Sequence, residues 1–308
     1  MTIQQLEYIC AVEEYGHFGK AAESCGVTQP TLSLMIRKLE EELDVRIFDR
    51  DSHPVVPTYI GRRIIEKAAQ VLYGANQIVE LTRSEKQLSS GDVKVAMIST
   101  VAPVLVPGMF SFLEKKYPDI HLSTQEMLST TIVSKLKRAE VDMGIMVSPV
   151  GDPDLLEIPL YHERFLAYVS PEYDLYDRET ISASELLDHP IWIMKDGLRR
   201  FDKSMLAEGE RFSYDRMYEG GRAGTLIYIV NQNGGLTIVP ELHRGMILFS
   251  MQKNLRPIVN PDVSRKISLV VRKDYVHEHL LNIMIDSIKH TIPAENLDEM
   301  VMHGPLSL

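Results

Sequence analysis

The sequence predicts an N-terminal all-α winged helix-turn-helix followed by an α/β region, and three observations support this prediction. Residues 18–40 contain two short helical patterns that meet at a tight corner. Residues 58–88 form one long helical pattern without proline. From Val93 onward, short β-rich runs, such as 164–170, alternate with helical patterns, such as 201–208, which favours a mostly parallel sheet covered on both faces. The residues after about Pro293 are expected to be a tail.

The corner between the two short helices contains the residues that a helix-turn-helix requires. Three small residues at helical spacing let a second helix cross closely, namely Ala21, Ala22 and Cys25. Gly26 can end the first helix and Thr28 can cap the second, while Pro30 lies in the first turn, where no amide partner is lost. An amphipathic pattern over residues 3–13 predicts a further helix that covers this pair.

The second helix of the pair is expected to bury one stripe and expose a polar face. The buried stripe recurs at i, i+4 and i+7 and consists of Leu32, Ile36 and Leu39. The remaining face has no acidic residue before Glu40 and could contact base edges or phosphates through Thr28, Gln29, Pro30, Thr31, Ser33, Leu34, Arg37 and Lys38. The alternative is an ordinary helical hairpin packed in a core.

Two short β-favouring runs, 45–48 and 55–57, flank a polar turn and predict a hairpin wing. Arg50, Ser52 and His53 lie at its tip. A wing places such groups over the backbone or the minor groove of DNA, so Arg50 and His53 are candidate DNA contacts. A solvated turn is the alternative.

The long helical pattern is expected to join two otherwise complete units. Its apolar residues recur along one seam, at Ile60, Ile64, Ala68, Val71, Ala75 and Ile78. Such a seam can pair with a copy of itself, so we expect a dimerising linker that ends near Ser89–Gly91. The alternative is a helix docked on its own domain.

Composition excludes several classes of protein. The 308 residues are 44% hydrophobic and 25% charged, with no apolar run long enough for a membrane span and no signal peptide, so a cytoplasmic location is expected. The net charge is −10, which does not by itself indicate a nucleic-acid binder. Cys10 and Cys25 are the only cysteines, and they predict neither a disulfide framework nor a metal site.

The α/β region offers candidate ligand contacts where strands end and helices begin. Thr100 follows the first strand, Ser129 and Thr130 follow the second, and Arg222 and Thr225 open a later helix. Capping of a helix is the alternative role for the hydroxyl groups. No Gly-x-Ser-x-Gly elbow, Walker loop or His-Glu-x-x-His motif is present, so we expect neither an enzyme nor a cofactor.

Four segments together resemble the LysR-type transcriptional regulators. They are Phe-x-x-Ala-Ala at 18–22, Val-Thr-Gln-Pro-Thr-Leu-Ser at 27–33, Ile-Arg-Lys-Leu-Glu at 36–40 and Leu-x-Val-x-Ile-Phe-x-Arg at 43–50. Gln5–Tyr8 and residues 28–33 are most similar to the OxyR-type peroxide regulators within this family.

The resemblance implies a transcriptional regulator with a DNA-binding domain over 1–58, a dimerising linker helix over 59–90 and an effector domain over 91–308. That domain would consist of two periplasmic-binding-protein-like α/β subdomains, lobe I at about 91–162 and 267–300 and lobe II at about 163–266. The implied partners are a dyad-symmetric promoter site, further copies of the chain as a homodimer or homotetramer, and RNA polymerase.

One feature of the OxyR-type regulators is missing from this sequence. In the matching segment, Gly197–Asp202, Arg199 stands where the resemblance implies the reactive cysteine, Leu198 replaces the preceding His, and about Glu208 stands at the resolving cysteine. A guanidinium group cannot form a sulfenic acid or a disulfide, so the usual thiol switch is unavailable.

Arg199 and Arg222 could instead converge near Thr100 on a small anionic effector. Surface pairing of Arg199 with Asp196, Asp202 or Glu208 is the alternative. Two further functions stay open: an OxyR-like stress regulator that works without thiol chemistry, and a small-molecule-binding protein or enzyme built on the C-terminal region.

Overall fold

The computed structural model describes residues 1–84, 91–187, 189–194, 216–218, 223–260 and 263–302. The chain forms two compact units. One comprises the described residues of Met1–Leu88 and Ser134–Val141, and the other those of Ser89–Val133 and Asp142–Leu308.

The N-terminal unit is built from helices and one small hairpin. Its helices are α1 (Ile3–Tyr15), α2 (Phe18–Ser24), α3 (Gln29–Leu43) and α4 (Tyr59–Ser84). Strands β1 (Phe48–Asp49) and β2 (Val56–Pro57) pair antiparallel as the wing. The structure therefore contains the predicted helix-turn-helix and hairpin.

The corner between α2 and α3 forms as its sequence predicts. Gly26 has φ +67°, the left-handed conformation that glycine adopts without strain. Thr28 caps α3, its Oγ1 accepting the amide of Thr31 at 3.4 Å. The predicted stripe is completely buried in the core of the unit, with Leu32, Ile36 and Leu39 all 0% exposed.

The start of α4 is fixed to the base of the wing. Thr58 Oγ1 accepts the amide of Gly61 at 2.9 Å and donates to the carbonyl of Arg46 at 2.7 Å. Gly61 passes so close that a Cβ atom there would lie 1.9 Å from the carbonyl oxygen of Ile47. Ile65 and Ala68 then bury one face of α4 in the core that it shares with α1.

The chain after α4 alternates strands and helices. The helices are α5 (Ala102–Lys116), α6 (Ser129–Lys137), α7 (Ala183–Leu187), α8 (Ala223–Asn233), α9 (Glu278–Thr291) and α10 (Glu299–Met302). The strands are β3 (Gly91–Met97), β4 (Ile120–Glu126), β5 (Met143–Val147), β6 (Leu155–Val169), β7 (Ile181–Ser182), β8 (Ile191–Met194), β9 (Arg216–Tyr218), β10 (Leu236–Pro240), β11 (Leu255–Val259) and β12 (Ser264–Arg272). A predicted helix over 201–208 lies outside the described residues.

The large sheet has the order β4-β3-β5-β12-β6-β10-β8-β9; β11 also pairs with β6, and β7 pairs with β11. Its pairs β3–β4, β3–β5, β8–β10 and β8–β9 are parallel, as predicted. Every pair in this sheet that contains β6 or β12 is antiparallel. The prediction of a mostly parallel sheet is wrong there, because these two strands carry the chain between the two halves of the sheet.

Two further expectations need correction. The strand predicted at 164–170 begins at Leu155, since Pro159 lies at a register shift and does not end the strand. The residues after Pro293, expected to be a tail, pack on β6: the amide of Asp298 donates to the carbonyl of Leu160 at 2.9 Å, and Val301 is 1% exposed.

The two halves of the sheet have separate cores. β3, β5 and the first part of β6 pack with α5 and α9, and the end of β6 packs with β10 and α7. No helix within the described residues combines the length and apolar character needed to cross a bilayer.

Candidate functional site

The face of α3 opposite its buried stripe is exposed and polar. Gln29, Thr31, Arg37 and Lys38 are all exposed, and Leu34 is 52% exposed. No acidic residue lies in the first turn of α3. Apolar burial on one side and exposed hydrogen-bonding groups on the other leave this helix free to enter a groove of DNA.

Thr28 and Pro30 lie where α3 begins, and both are exposed. The Thr28 hydroxyl also lies 2.9 Å from the Thr31 hydroxyl, so it belongs to the cap of the helix. Capping and contact with a phosphate are compatible, because a hydroxyl group has two acceptor sites and one proton.

The wing contributes Arg50 and His53. His53 is exposed at the turn. Arg50 is half-buried: its guanidinium pairs with Glu40 at 2.8 Å, donates to Ser33 Oγ at 3.4 Å and lies 5.2 Å from the ring centroid of Phe18. Ser33, which accepts the hydrogen bond from Arg50, is half-buried as well. Sequence reasoning missed Glu40, which shares the Ser33 face because residues seven apart lie two turns apart on a helix.

A second polar cluster forms where β6 and β12 pass between the halves of the large sheet. Glu163 and Arg265 are cross-strand partners there, with Arg265 Nη2 2.6 Å from Glu163 Oε1. Arg265 Nη1 also donates to Thr100 Oγ1 at 2.8 Å, and His243 Nε2 donates to the carbonyl of Thr100 at 2.7 Å. Glu163, His243 and Arg265 were not among the predicted site residues; their sequence positions alone do not bring them together.

Burial controls the charges in this cluster. Burial raises the pKa of Glu163, whereas the charge and the hydrogen bond of Arg265 lower that pKa. Burial lowers the pKa of His243 to about 4, so the imidazole is neutral at pH 7. Arg265 is paired with Glu163, and the neutral His243 adds no charge to the cluster. The backbone of Leu242 also lowers the pKa of Glu163, whose Oε2 is buried.

The predicted effector residues fall into two groups. Thr100 and Ser129 each follow a strand of the parallel pair β3–β4, in which Met97 is the partner of Glu126, so both lie at the same edge of the sheet. Thr130 is exposed in the first turn of α6, and Thr225 is half-buried in the first turn of α8. The N-cap of α5 is Val101, without a side-chain bond, so Thr100 does not cap that helix. Arg199 and Arg222 lie outside the described residues.

The two cysteines both lie in the N-terminal unit and are half-buried. Burial and the nearby Glu13 carboxylate raise the pKa of Cys10 to about 12, which keeps its thiol protonated. Cys25 is half-buried at the end of α2. Across the described ranges, no group of three or more His, Cys, Asp or Glu residues could hold a metal ion.

Comparison with known proteins gives concordant matches over both regions. The model of the bacterial regulatory helix-turn-helix proteins of the lysR family matches residues 3–62, and that of the LysR substrate binding domain matches residues 86–292. The hydrogen peroxide-inducible genes activator of Haemophilus influenzae is 30% identical over 278 residues, covering 88% of this chain and 91% of that protein. The DNA-binding transcriptional dual regulator OxyR of Escherichia coli is 28% identical over 279 residues, covering 88% and 90%.

Solved structures agree with these matches. A single-residue variant of full-length OxyR from Pseudomonas aeruginosa superposes with a TM-score of 0.83 at 28% identity, covering 97% of this chain and 98% of that one. A full-length BenM variant shares the fold, with a TM-score of 0.54 at 22% identity over 94% of this chain and 95% of that one. Residues 3–62 are thus the helix-turn-helix region of a known family, and the chain belongs to the LysR-type transcriptional regulators, with OxyR proteins among its relatives.

Proposed function

We propose that this regulator binds a dyad-symmetric promoter site as a homodimer or homotetramer, and that a ligand or a change of state in its α/β region controls that binding without thiol chemistry. The observation that carries the proposal is the exposed face of α3, which has no acidic residue before Glu40 and lies opposite the buried stripe of a capped helix. Gln29, Ser33 and Arg37 would read base edges. Thr28, Pro30, Thr31, Leu34, Lys38 and His53 would complete the DNA contacts, and Arg50 would support them from the wing through its contacts with α3.

The exposed apolar side of α4 supports the dimer. Ile60 is 38% exposed, Val71 47% and Ile78 68%, and their positions follow one seam of the helix. A second copy would remove these side chains from water. Additional contacts between α/β regions would build a tetramer, and RNA polymerase would be the partner at the promoter. We further propose a cytoplasmic location and no catalytic activity.

The controlling ligand in this proposal is a small anion. Thr100, Ser129, Thr130 and Thr225 would supply hydroxyl groups. In the described part of this region, Arg265 is already balanced by Glu163 and His243 is neutral, so the preference for an anion would have to come from Arg199 and Arg222. Neither cysteine takes part.

A second candidate function follows from the relatives' names. Proteins called hydrogen peroxide-inducible genes activators match 88% of this chain, so regulation of an oxidative-stress response through another sensor is the alternative. Genome-wide footprinting with and without the intact gene tests both candidates, because the controlled genes identify the response. Absence of any sequence-specific footprint would contradict the DNA-binding proposal.

Thermal-shift screening of small organic acids tests the ligand. An acid that stabilises the full chain should lose that effect in Arg199→Ala. Equal stabilisation of the variant would remove Arg199 from the site. Stabilisation by uncharged compounds alone would reject an anionic effector.

A further inference from the structure

The guanidinium group of Arg50 already has partners within residues 1–58, which we call the headpiece. It pairs with Glu40 Oε2 at 2.8 Å, donates to Ser33 Oγ at 3.4 Å and stacks over Phe18. These partners lie on α2 and α3, whereas Arg50 follows β1 of the wing. Arg50 therefore joins the wing to both helices of the helix-turn-helix, which is more than a phosphate-binding arginine at a loop tip requires.

Glu40 holds Arg50 from a fixed position. Its Oε1 accepts the amides of Ile47 at 2.8 Å and Phe48 at 3.3 Å, and its side chain is only 11% exposed. A carboxylate fixed by two backbone amides cannot follow Arg50 if the latter turns toward DNA. Release of Arg50 would leave a largely buried charge without its partner, which is costly. The pair is therefore expected to stay closed when DNA binds.

The consequence falls on Ser33. A guanidinium group only donates hydrogen bonds, so Ser33 Oγ must accept from Arg50. Its own proton is then free to be donated elsewhere. Ser33 lies on the same side of α3 as the exposed Gln29 and Arg37, at i, i+4 and i+8. The hydroxyl group is thus held as a donor at the edge of the face proposed to read DNA.

We propose that Glu40 and Arg50 are positioning residues for sequence recognition: they hold the Ser33 hydroxyl so that it donates to an acceptor on a base edge, and Arg50 itself does not bind a phosphate. Guanine N7 and O6, adenine N7 and thymine O4 are acceptors of this kind in the major groove. This inference rests on the proposed DNA-binding function and adds the role of each residue.

Salt dependence separates positioning from phosphate binding. The full-length chain is titrated over several salt concentrations with the duplex that it selects from fragmented DNA of its own genome, and with a scrambled duplex. Glu40→Gln is the informative variant, since the amide oxygen can still accept from Ile47 and Phe48 while the attraction to Arg50 is lost. We expect affinity for the selected duplex to fall about tenfold, with an unchanged salt slope.

A phosphate-binding role for Arg50 predicts the opposite result. If Arg50 bound a phosphate and Glu40 restrained it, Glu40→Gln would tighten binding to both duplexes and steepen the salt slope by about 0.9 for each additional phosphate that the protein neutralises. That outcome would overturn the inference. Lys38→Ala, which removes an exposed cation on α3, is the matched control. Its binding should depend less steeply on salt, with little change in the ratio of its affinities for the two duplexes.

A double-mutant cycle tests the link to Ser33. If Glu40 acts through Ser33, Ser33→Ala/Glu40→Gln should bind no more weakly than Ser33→Ala alone. Additive losses would contradict the inference. Arg50→Lys keeps the charge but lacks the planar fork, so it should resemble Glu40→Gln; wild-type affinity in Arg50→Lys would indicate a simple charge contact instead.

Unfolding curves decide whether these variants keep the fold. A variant counts if it unfolds in one cooperative transition with a midpoint above the concentration or temperature of the binding assay and if its binding to the scrambled duplex is retained. A wild-type chain that does not distinguish the two duplexes would instead disprove the proposed sequence-specific binding.

Discussion

Single residues on α3 divide into those that are buried in the core and those that are exposed and proposed to contact DNA. Leu32, Ile36 and Leu39 have no exposure, whereas Arg37 is exposed and forms no ion pair with another described residue. An exposed arginine without an intramolecular partner contributes little to the stability of its own fold. It can present all of its donors to a base or a phosphate.

Arg37→Ala should therefore separate binding from folding. We expect the free energy of operator binding to weaken by roughly 1–3 kcal/mol, the range for a good base contact, while the free energy of unfolding changes by less than about 0.5 kcal/mol. Gel-shift titration at moderate salt measures the first quantity and denaturant unfolding the second. Unaltered affinity would remove Arg37 from recognition.

His243 makes stability depend on pH. Burial lowers its pKa from 6.5 to about 4, so the fold favours the neutral ring that donates to Thr100. Its contribution is present above pH 6.5 and is lost as the pH falls toward 4. At pH 5 the loss is about 2 kcal/mol relative to pH 7.5.

Replacement of His243 by Gln should remove this part of the pH dependence, since the amide can still donate but does not titrate. Denaturant unfolding of wild-type and variant chains at pH 7.5 and pH 5 gives the comparison. The difference between the two pH values should be about 2 kcal/mol smaller in the variant. An equal difference in both chains would show that His243 is not the responsible group.

At the scale of elements, α4 has two apolar sides with different roles. Ile65 is buried in the core shared with α1, and so is Ala68, which the helical period assigns to the seam; Val71 and Ile78 are exposed. Only the first side is covered by other residues of the same chain. The second is expected to require another copy.

Lysines at both exposed seam positions, Val71→Lys and Ile78→Lys together, should place like charges across the dimer interface and separate the copies. Light scattering of the full chain at micromolar concentration should show the mass per particle halved. Met300→Lys with Met302→Lys, which changes residues that are 49% and 46% exposed outside α4, is the matched control and should keep the wild-type mass. An unchanged mass in the α4 variant would contradict the linker interface.

At the scale of the whole molecule, the chain has a LysR headpiece and a LysR substrate binding domain, but it lacks sensing thiols in the latter. Both cysteines lie in the N-terminal unit. Burial holds the Cys10 thiol in its protonated form. No cysteine lies within residues 86–292, the region matched by the LysR substrate binding domain.

Peroxide should accordingly leave the DNA footprint of the purified protein unchanged, and Cys10→Ser with Cys25→Ser should bind the same site as the wild type. A peroxide-dependent change lost in the double variant would show that these cysteines react. A change that survives in it would identify a different sensor.

The headpiece could be predicted from the sequence, because its signals are local. Gly26, Thr28 and the stripe of α3 act within one or two helical turns, and each has the predicted conformation and burial in the structure. The exposed face of α3 followed from the same helical period. The alternation of strands and helices likewise predicted the α/β class.

Only the tertiary structure decided which polar groups meet. Glu163 and Arg265 are 102 residues apart in sequence, and Thr100 and His243 are 143 apart, yet β6 and β12 bring these four side chains together. Arg50 met Glu40 and Ser33 because the wing folds back on α3, although its sequence position predicted only a loop tip. Side-chain periodicity reports the near neighbours of a residue, whereas long-range pairing depends on strand register and crossover, which no local pattern encodes.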